Sequence, residues 1–385
     1  MERQAGKISQ DFLSYTMQQG TSSNTIWQRL KKNKSAMFGL IILGVAFFVA
    51  IFSYLIAPDV SPNADLQTVE IQAKKPGYSQ LFLKIHDNKN ITTGLFEQLI
   101  NGKPNDFKYI PIKSYQIKND SLVVNKFIDE DTSVAQYYSL NQITNNHPEK
   151  LKEHIITKKY WLGTDKFGRD ILSRLIIGTR VSLAVGLIAV IISLTIGIIL
   201  GMLAGYYRKW VDAVIMWLIN VVWSIPTLLL VFAITLALGK GFWQIFIAVG
   251  LTMWVNVARL VRGQIMAIKE LEYVQAAKAL GFTDLRIIVK HLLPNIIGPI
   301  LVIAASNFAT AIIVEAGLSF LGIGVQPPQP SWGLMIKENY NFLITHNPML
   351  AIIPGLAIIL LVLAINLLGN GLRDATDVRS TPSAP

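Results

Sequence analysis

The sequence predicts an all-α polytopic membrane protein of six transmembrane helices, with a small extracytoplasmic α+β or β-rich insertion between the first and second. Three observations lead there. Hydrophobic residues make up 52% of the 385 residues and charged residues 15%, and the mean hydropathy is +0.43. The apolar residues gather into runs close to the roughly 20 that a spanning helix needs. Lysine and arginine collect on one side of those runs, which orients them.

Uncharged windows run from Ser35 to Pro58, Val181 to Tyr207, Ala213 to Gly239, Gly241 to Ala258, Leu292 to Val314 and Asn347 to Leu372. The first is longer than the apolar region of a signal peptide, lacks a small-residue cleavage site and follows a mostly polar segment, so it reads as a retained anchor. The chain then divides into a cytoplasmic N-terminal segment (1–36), a first span (37–58), the insertion (59–160), a five-span core (161–372) that includes a cytoplasmic loop (259–294), and a cytoplasmic tail (373–385). Short segments assigned inside carry Arg29, Lys31, Lys32, Lys34, Arg208, Lys209, Arg259, Arg262, Lys269, Lys278, Arg286, Lys290, Arg373 and Arg379, whereas their short outside counterparts carry Lys240 and Lys337. That asymmetry puts both termini inside.

The net charge of +11 sits mainly beside the ends of spans, where it sets topology and meets anionic lipid, so lipid is the expected partner and nucleic acid is not. With no cysteine there is no disulfide framework, thiolate metal site or cysteine nucleophile. The patterns Gly-x-x-x-x-Gly-Lys-Ser/Thr, Gly-x-Ser-x-Gly and His-Glu-x-x-His are absent, which argues against an ATPase or a membrane hydrolase.

Within the insertion, alternating runs such as Leu122-Val-Val-Asn-Lys-Phe-Ile128 predict strands. His86, His147 and His154 read as isolated, solvent-exposed loop histidines. Next comes Leu162-Gly-Thr-Asp-Lys-Phe-Gly-Arg-Asp170. Gly163 and Gly168 permit tight turns, Asp165 is suited to cap a helix, and Ile171, Leu172, Leu175 and Ile176 share one helical face. These features predict a helix lying in the membrane interface before the second span. On physics alone the run from Gly163 through Thr164, Arg169 and Asp170 reads as a structural elbow.

Gly197, Gly201 and Gly205, at steps of four, form a small-residue face for close helix packing, with the partner helix left open. Trp223-Ser-Ile-Pro226 and Pro354-Gly355 predict kinks, since each proline removes a backbone donor. Glu315 falls in a largely apolar stretch and reads either as a path-lining acid or as a structural salt bridge or interfacial group. Beyond it, Gly317, Gly322, Gly324 and the proline-rich run to Gly333 predict an irregular segment over the outer ends of the spans.

In the loop from Arg259 to His291, Leu271 to Leu280 predicts a short helix, Gly281 its left-handed termination and Thr283 or Asp284 the cap of a second helix. Pro294 fits the first turn of the fifth span. Ala276 and Ala277 keep one face slim, while Leu271, Tyr273, Val274, Leu280 and Phe282 offer apolar knobs to a groove in a soluble partner. By composition alone, a basic amphipathic stretch resting on lipid fits equally well.

The order Glu272-Tyr-Val-Gln-Ala-Ala-Lys-Ala-Leu-Gly281 followed by His291-Leu-Leu-Pro294 resembles the EAA signature of bacterial ABC-importer permeases. It departs at Gln275, where the signature has Glu, and at His291, where it has an aliphatic residue. Gly163-Thr-Asp-x-x-Gly-Arg-Asp170, Glu315-Ala-Gly-Leu-Ser-Phe-Leu-Gly-Ile-Gly324 and Pro327-Pro-Gln-Pro-Ser-Trp-Gly333 resemble the C-type subunits of dipeptide, oligopeptide and nickel importers. The resemblance extends through most of Trp161 to Arg373 and leaves the insertion outside it. It implies the type I ABC importer permease fold, in a multi-pass subunit of the bacterial plasma (inner) membrane. It also implies an ATPase-coupling loop built from Glu272, Tyr273, Val274, Gln275, Ala276, Ala277, Leu280, Gly281 and Pro294. The implied partners are a homologous B-type permease, two cytoplasmic ATPases that hold the ATP and Mg, and an extracytoplasmic solute-binding protein. No cofactor is implied for this chain. Peptides are the first implied substrates, and nickel or another small solute the alternative. A secondary transporter is the more distant alternative, because no convincing inverted repeat is visible.

The predicted topology has a direct check in this cysteine-free chain. A membrane-impermeant thiol reagent applied to intact cells should label Ser121→Cys and spare Thr283→Cys, and the opposite pattern would invert the assignment.

Overall fold

The computed structural model of the chain describes residues 23–86, 94–118, 121–144, 151–239, 241–345 and 347–376. His147, Lys240 and Arg379 lie outside the described residues. Helix α1 (Ser23–Lys32) precedes α2 (Lys34–Ile51), with Asn33 between them accepting a hydrogen bond from the Ala36 amide as the cap of α2. α1 was not foreseen in a segment read as mostly polar. Its Ile26 and Leu30 pack with Ala36, Leu368, Leu372 and Ala375 at the far end of the chain.

The insertion is a five-stranded antiparallel sheet of β1 (Tyr78–His86), β2 (Phe107–Lys118), β3 (Ser121–Phe127), β4 (Ser133–Ser139) and β5 (Ile155–Tyr160), ordered β4-β3-β2-β1-β5. Alternation gives each face its own core. Leu83, Ile110, Ile112, Leu122 and Val124 pack under Leu140, Ile143 and Leu151 on one side, and Ile71, Phe82, Phe127 and Tyr160 pack on the other. A short helix, α3 (Leu95–Asn101), lies between β1 and β2. The expectation of loop histidines needs correction. His86 closes β1 against the Phe107 ring at 5.0 Å, and the half-buried His154 holds its Nδ1 2.8 Å from the Lys84 carbonyl oxygen.

The second apolar run forms one uninterrupted helix, α4 (Ile171–Tyr207), of 37 residues. Among the described residues no separate interfacial helix precedes it. Asp170, not Asp165, is its cap, accepting from the Ser173 amide at 2.9 Å. At roughly 55 Å, α4 is longer than a hydrocarbon core of about 30 Å, and its first turns carry the charged Arg174 and Arg180. There Gly178 seats the Trp332 ring, whose Nε1 donates to the Leu175 carbonyl at 3.0 Å.

The third run is more than kinked. α5 (Lys209–Trp223) and α6 (Thr227–Leu238) meet at 91° across Ser224 to Pro226. Then follow α7 (Phe242–Ile268), α8 (Glu272–Ala279), α9 (Asp284–Ile287), α10 (Ile297–Leu321), α11 (Trp332–Asn339) and α12 (Met349–Thr376). Among the described residues five helical stretches are long and apolar enough to cross a membrane, or six if the α5–α6 pair is one broken span. Pro294 does not open a new helix as expected. A π turn (Ile288–Leu292) and a 3-10 turn (Leu293–Ile296) carry the helical path from α9 into α10 and absorb the missing amide. α12 runs through Pro354 without a break.

α4 and α7 touch backbone to backbone. A Cβ on Gly197, Gly201 or Gly205 would lie 2.7, 2.6 and 2.8 Å from the carbonyl oxygens of Trp254, Ala258 and Arg262. The partner helix left open by the sequence is therefore in this chain. Asn307 of α10 joins the seam, with its Nδ2 3.4 Å from both the Ser193 hydroxyl and the Met253 carbonyl.

Gly201→Leu should overpack this seam at a cost of about 1–3 kcal/mol, lowering the thermal midpoint of the purified protein. Gly263→Leu, on a face of α7 with open space around it, is the control and should leave the midpoint unchanged.

Candidate functional site

The loop that leaves α7 is a small folded body. At its centre α8 ends in a Schellman turn: the Phe282 amide donates to the Ala277 carbonyl at 3.2 Å and the Gly281 amide to Lys278 at 3.0 Å. Gly281 sits at φ +78 with open space where a side chain would be. Left-handed backbone, and not crowding, demands glycine there. Thr283 occupies the cap position of α9 without making a side-chain cap hydrogen bond. Asp284 instead accepts from the Tyr206 hydroxyl at 2.6 Å.

Val274 and Ala277 are buried with Val257, Val261, Ile265, Ile287 and Leu292, and Tyr273 and Phe282 pack against the same cluster. Val274 is thus an anchor and not the knob expected from the sequence, because the helix turns that face onto α7. The apolar residues presented outward are Leu271, Leu280, Leu285 and Val289, with Leu280 75% and Leu285 72% exposed. Leu285 and Val289 were missed, although their spacing of four marks a common helical face. Ala276 lies exposed on α8. Gln275 donates to the Lys269 carbonyl at 2.9 Å. His291 stacks on Phe282 at 6.0 Å, and Arg286 covers the same ring at 4.3 Å.

Polar contacts fasten this body to the membrane helices. Lys269 donates to the Tyr206 carbonyl at 2.6 Å and Arg208 pairs with Glu270 at 2.6 Å, while between the membrane helices Arg262 of α7 grips Asp212 of α5 with its Nη2 at 2.6 Å. Burial, with Arg208 and Lys278 nearby, holds the Lys269 ammonium below its usual pKa. Such an arrangement can pass a push on the loop directly into α4, α5 and α7.

At the opposite end of α4, the motif from Gly163 to Asp170 forms a clasp. The Asp165 carboxylate accepts from the Phe167 and Arg169 amides at 2.9 and 3.0 Å and from Arg169 Nε at 2.6 Å. Arg169 also reaches Asp65 at 3.2 Å and Glu338 of α11 at 2.6 Å. Burial opposes its charge, but Asp165 and Glu338 prevail and raise its pKa above the ordinary value. Arg174, fully buried, lies 3.4 Å from the same Glu338. Thr164 accepts from the Lys74 amide at 2.9 Å. Gly163 and Gly168 adopt φ +83 and +74, and a Cβ would strike the Lys74 and Thr68 carbonyl oxygens at 2.2 and 1.7 Å.

Glu315 is fully buried, and its Oε1 accepts from the Ser319 hydroxyl at 2.6 Å. Among the described residues no salt bridge is made to it. Ser319 in turn accepts from the Val325 amide at 3.0 Å, which ties the irregular segment after Gly322 to α10. Pro226 stands exposed at the start of α6.

A family model described as "binding-protein-dependent transport system inner membrane component" matches residues 197–381. A second, described as the N-terminal TM domain of oligopeptide transport permease C, matches residues 23–72. The chain is 44% identical over 218 residues to a glutathione transport system permease protein of Pectobacterium atrosepticum, covering 57% of this chain and 72% of that protein. It is 42% identical over 219 residues to a dipeptide transport system permease protein of Alkalihalophilus pseudofirmus, and 40% over 221 residues to an oligopeptide transport system permease protein of Bacillus subtilis, with the same coverage in each case.

Removing the Glu338 carboxylate leaves Arg169 and Arg174 short of a shared partner in a buried setting. Glu338→Ala should cost about 3–5 kcal/mol, read as a lower thermal midpoint and faster proteolysis of the insertion. Glu153→Ala, at an exposed position of the insertion, should change neither.

Proposed function

The chain belongs to the family of binding-protein-dependent transport system inner membrane components, and on that premise we propose that it is the C-type permease subunit of an ATP-driven peptide importer. The observation that carries the coupling role is the rigid loop around Gly281, which turns Leu280 and Leu285 outward while Val274 and Ala277 hold it to α7. Exposed leucines on a fastened knob suit the groove of a soluble partner. Peptides are favoured over nickel because the relatives above are named for glutathione, dipeptide and oligopeptide transport.

In this reading the chain forms half of the translocation path, beside a homologous B-type permease. Two cytoplasmic ATPases bind ATP and Mg, and an extracytoplasmic solute-binding protein delivers substrate. The protein is a multi-pass subunit of the inner membrane, with both termini and the Gly281 loop on the cytoplasmic side and the sheet outside. Closure of the ATPases moves the docked loop as a body. Tyr206, Lys269 and Arg262 pass that movement to the helices, and the path alternates between inward and outward openings. Glu315 serves to hold the outer segment onto α10, and Pro226 sets the break of the third span.

Two variants separate docking from folding. Leu280→Asp combined with Leu285→Asp should abolish ATPase co-purification and peptide uptake at normal membrane levels of the chain. Gly281→Val forces a β-branched residue into left-handed backbone at a cost of about 1 kcal/mol or more, tilts α9 away from α8 and should likewise uncouple transport, whereas Lys278→Gln should be mild. Wild-type docking and uptake in both variants would remove the coupling role from this loop.

A further inference from the structure

Where α2 and α4 diverge beneath the insertion they leave a groove of about 390 Å3, within the roughly 300–1,000 Å3 typical of ligand sites. Its walls are Phe47, Ile51 and Phe52 on one side and Leu183 and Leu187 on the other. All lie on or next to helices apolar enough to span a bilayer. Over its mouth lies α3, whose Phe96 is 77% exposed and whose Ile100, one turn on, is also exposed. A short helix that turns an aromatic and an aliphatic side chain outward beside the end of a span is suited to rest in the interfacial layer of a membrane.

One cation interrupts this apolar setting. Arg180 lies at the edge of the groove, and its Nη1 donates to the Leu99 and Ile100 carbonyls at the end of α3, at 3.2 and 3.0 Å. Its guanidinium rests on the Tyr54 ring at 5.2 Å. Among the described residues no carboxylate pairs with it. A guanidinium presents five donors in a planar fork that matches phosphate oxygens, and the two α3 carbonyls take hydrogen bonds from Nη1 alone.

We propose that this groove is a phospholipid site: an acyl chain lies between α2 and α4, and the lipid phosphate is bound by Arg180 under the shelter of α3. The lipid then forms part of the contact between the insertion and the spans, filling space that no side chain of this protein occupies. The occupant follows from the apolar walls, the position between two spans and the single cation at the level where headgroups lie. The inference depends on the spans and not on what is transported, so it stands or falls separately from the peptide reading.

The test uses the complete transporter, extracted in mild detergent from its own membranes, with tightly held phospholipid counted by native mass spectrometry. Arg180→Gln should lower retention by roughly tenfold or more, the counterpart of losing a charge-assisted hydrogen bond, and Arg180→Lys should recover most of it. Leu187→Trp, which fills the groove from an exposed position and keeps the arginine, should also displace the lipid. Inorganic phosphate in millimolar excess should not compete. Lipid counts unaltered by both Arg180→Gln and Leu187→Trp would overturn the proposal. So would displacement by free phosphate, or a bound peptide in place of lipid.

Discussion

The architecture rests on one close approach, the backbone of α4 lying against that of α7. Three glycines four residues apart face three carbonyls four residues apart, and no side chain fits between them. In lipid such contact is a main source of helix association, because apolar surface alone gains little by leaving the hydrocarbon. Trp254, Ala258 and Arg262 supply the facing carbonyls, so both helices are fixed in register as well as in distance. Asn307 adds a polar tie from α10 at the middle of the seam.

Because α4 is longer than a hydrocarbon core, the seam has consequences at both of its ends. One end enters the clasp, where Asp165, Arg169, Arg174, Asp65 and Glu338 bring together three parts of the chain distant in sequence. Two arginines and three carboxylates so enclosed are costly to bury and costly to separate. The other end enters the loop, through Tyr206 and its contacts to Asp284 and Lys269. A stiff rod with polar fastenings at each end is the physical basis for treating the Gly281 loop and the membrane helices as one moving part.

Local signals in the sequence were enough for a chain of five or six long apolar helices, for the glycine face at Gly197, Gly201 and Gly205, and for the turn at Gly281, since each follows from hydropathy or from backbone preference. Side-chain direction was not. Val274 and Leu280 are equally apolar, and only the docking of α8 on α7 sends one inward and the other out. The clasp was read as an elbow because Asp165 could equally cap a helix, and its partner Glu338 lies far along the chain. The continuity of α4 was also hidden, for Ile171 to Ile177 has an amphipathic look that burial against Trp332 and the insertion removes. The strength of the break at Pro226 depends on packing, which a proline in sequence does not state.

In the proposed coupling, the loop and the α4–α7 seam move together. Pairs of spin labels at Tyr207→Cys and Thr283→Cys, placed at exposed positions on the two sides of the Tyr206–Asp284 contact, can be measured by double electron–electron resonance in the assembled transporter. The distance distribution should be the same without nucleotide and in the ATP-trapped state, while the distance from Thr283→Cys to a label on the partner permease changes. A loop that shifts relative to Tyr207 when ATP is trapped would contradict rigid coupling through this helix.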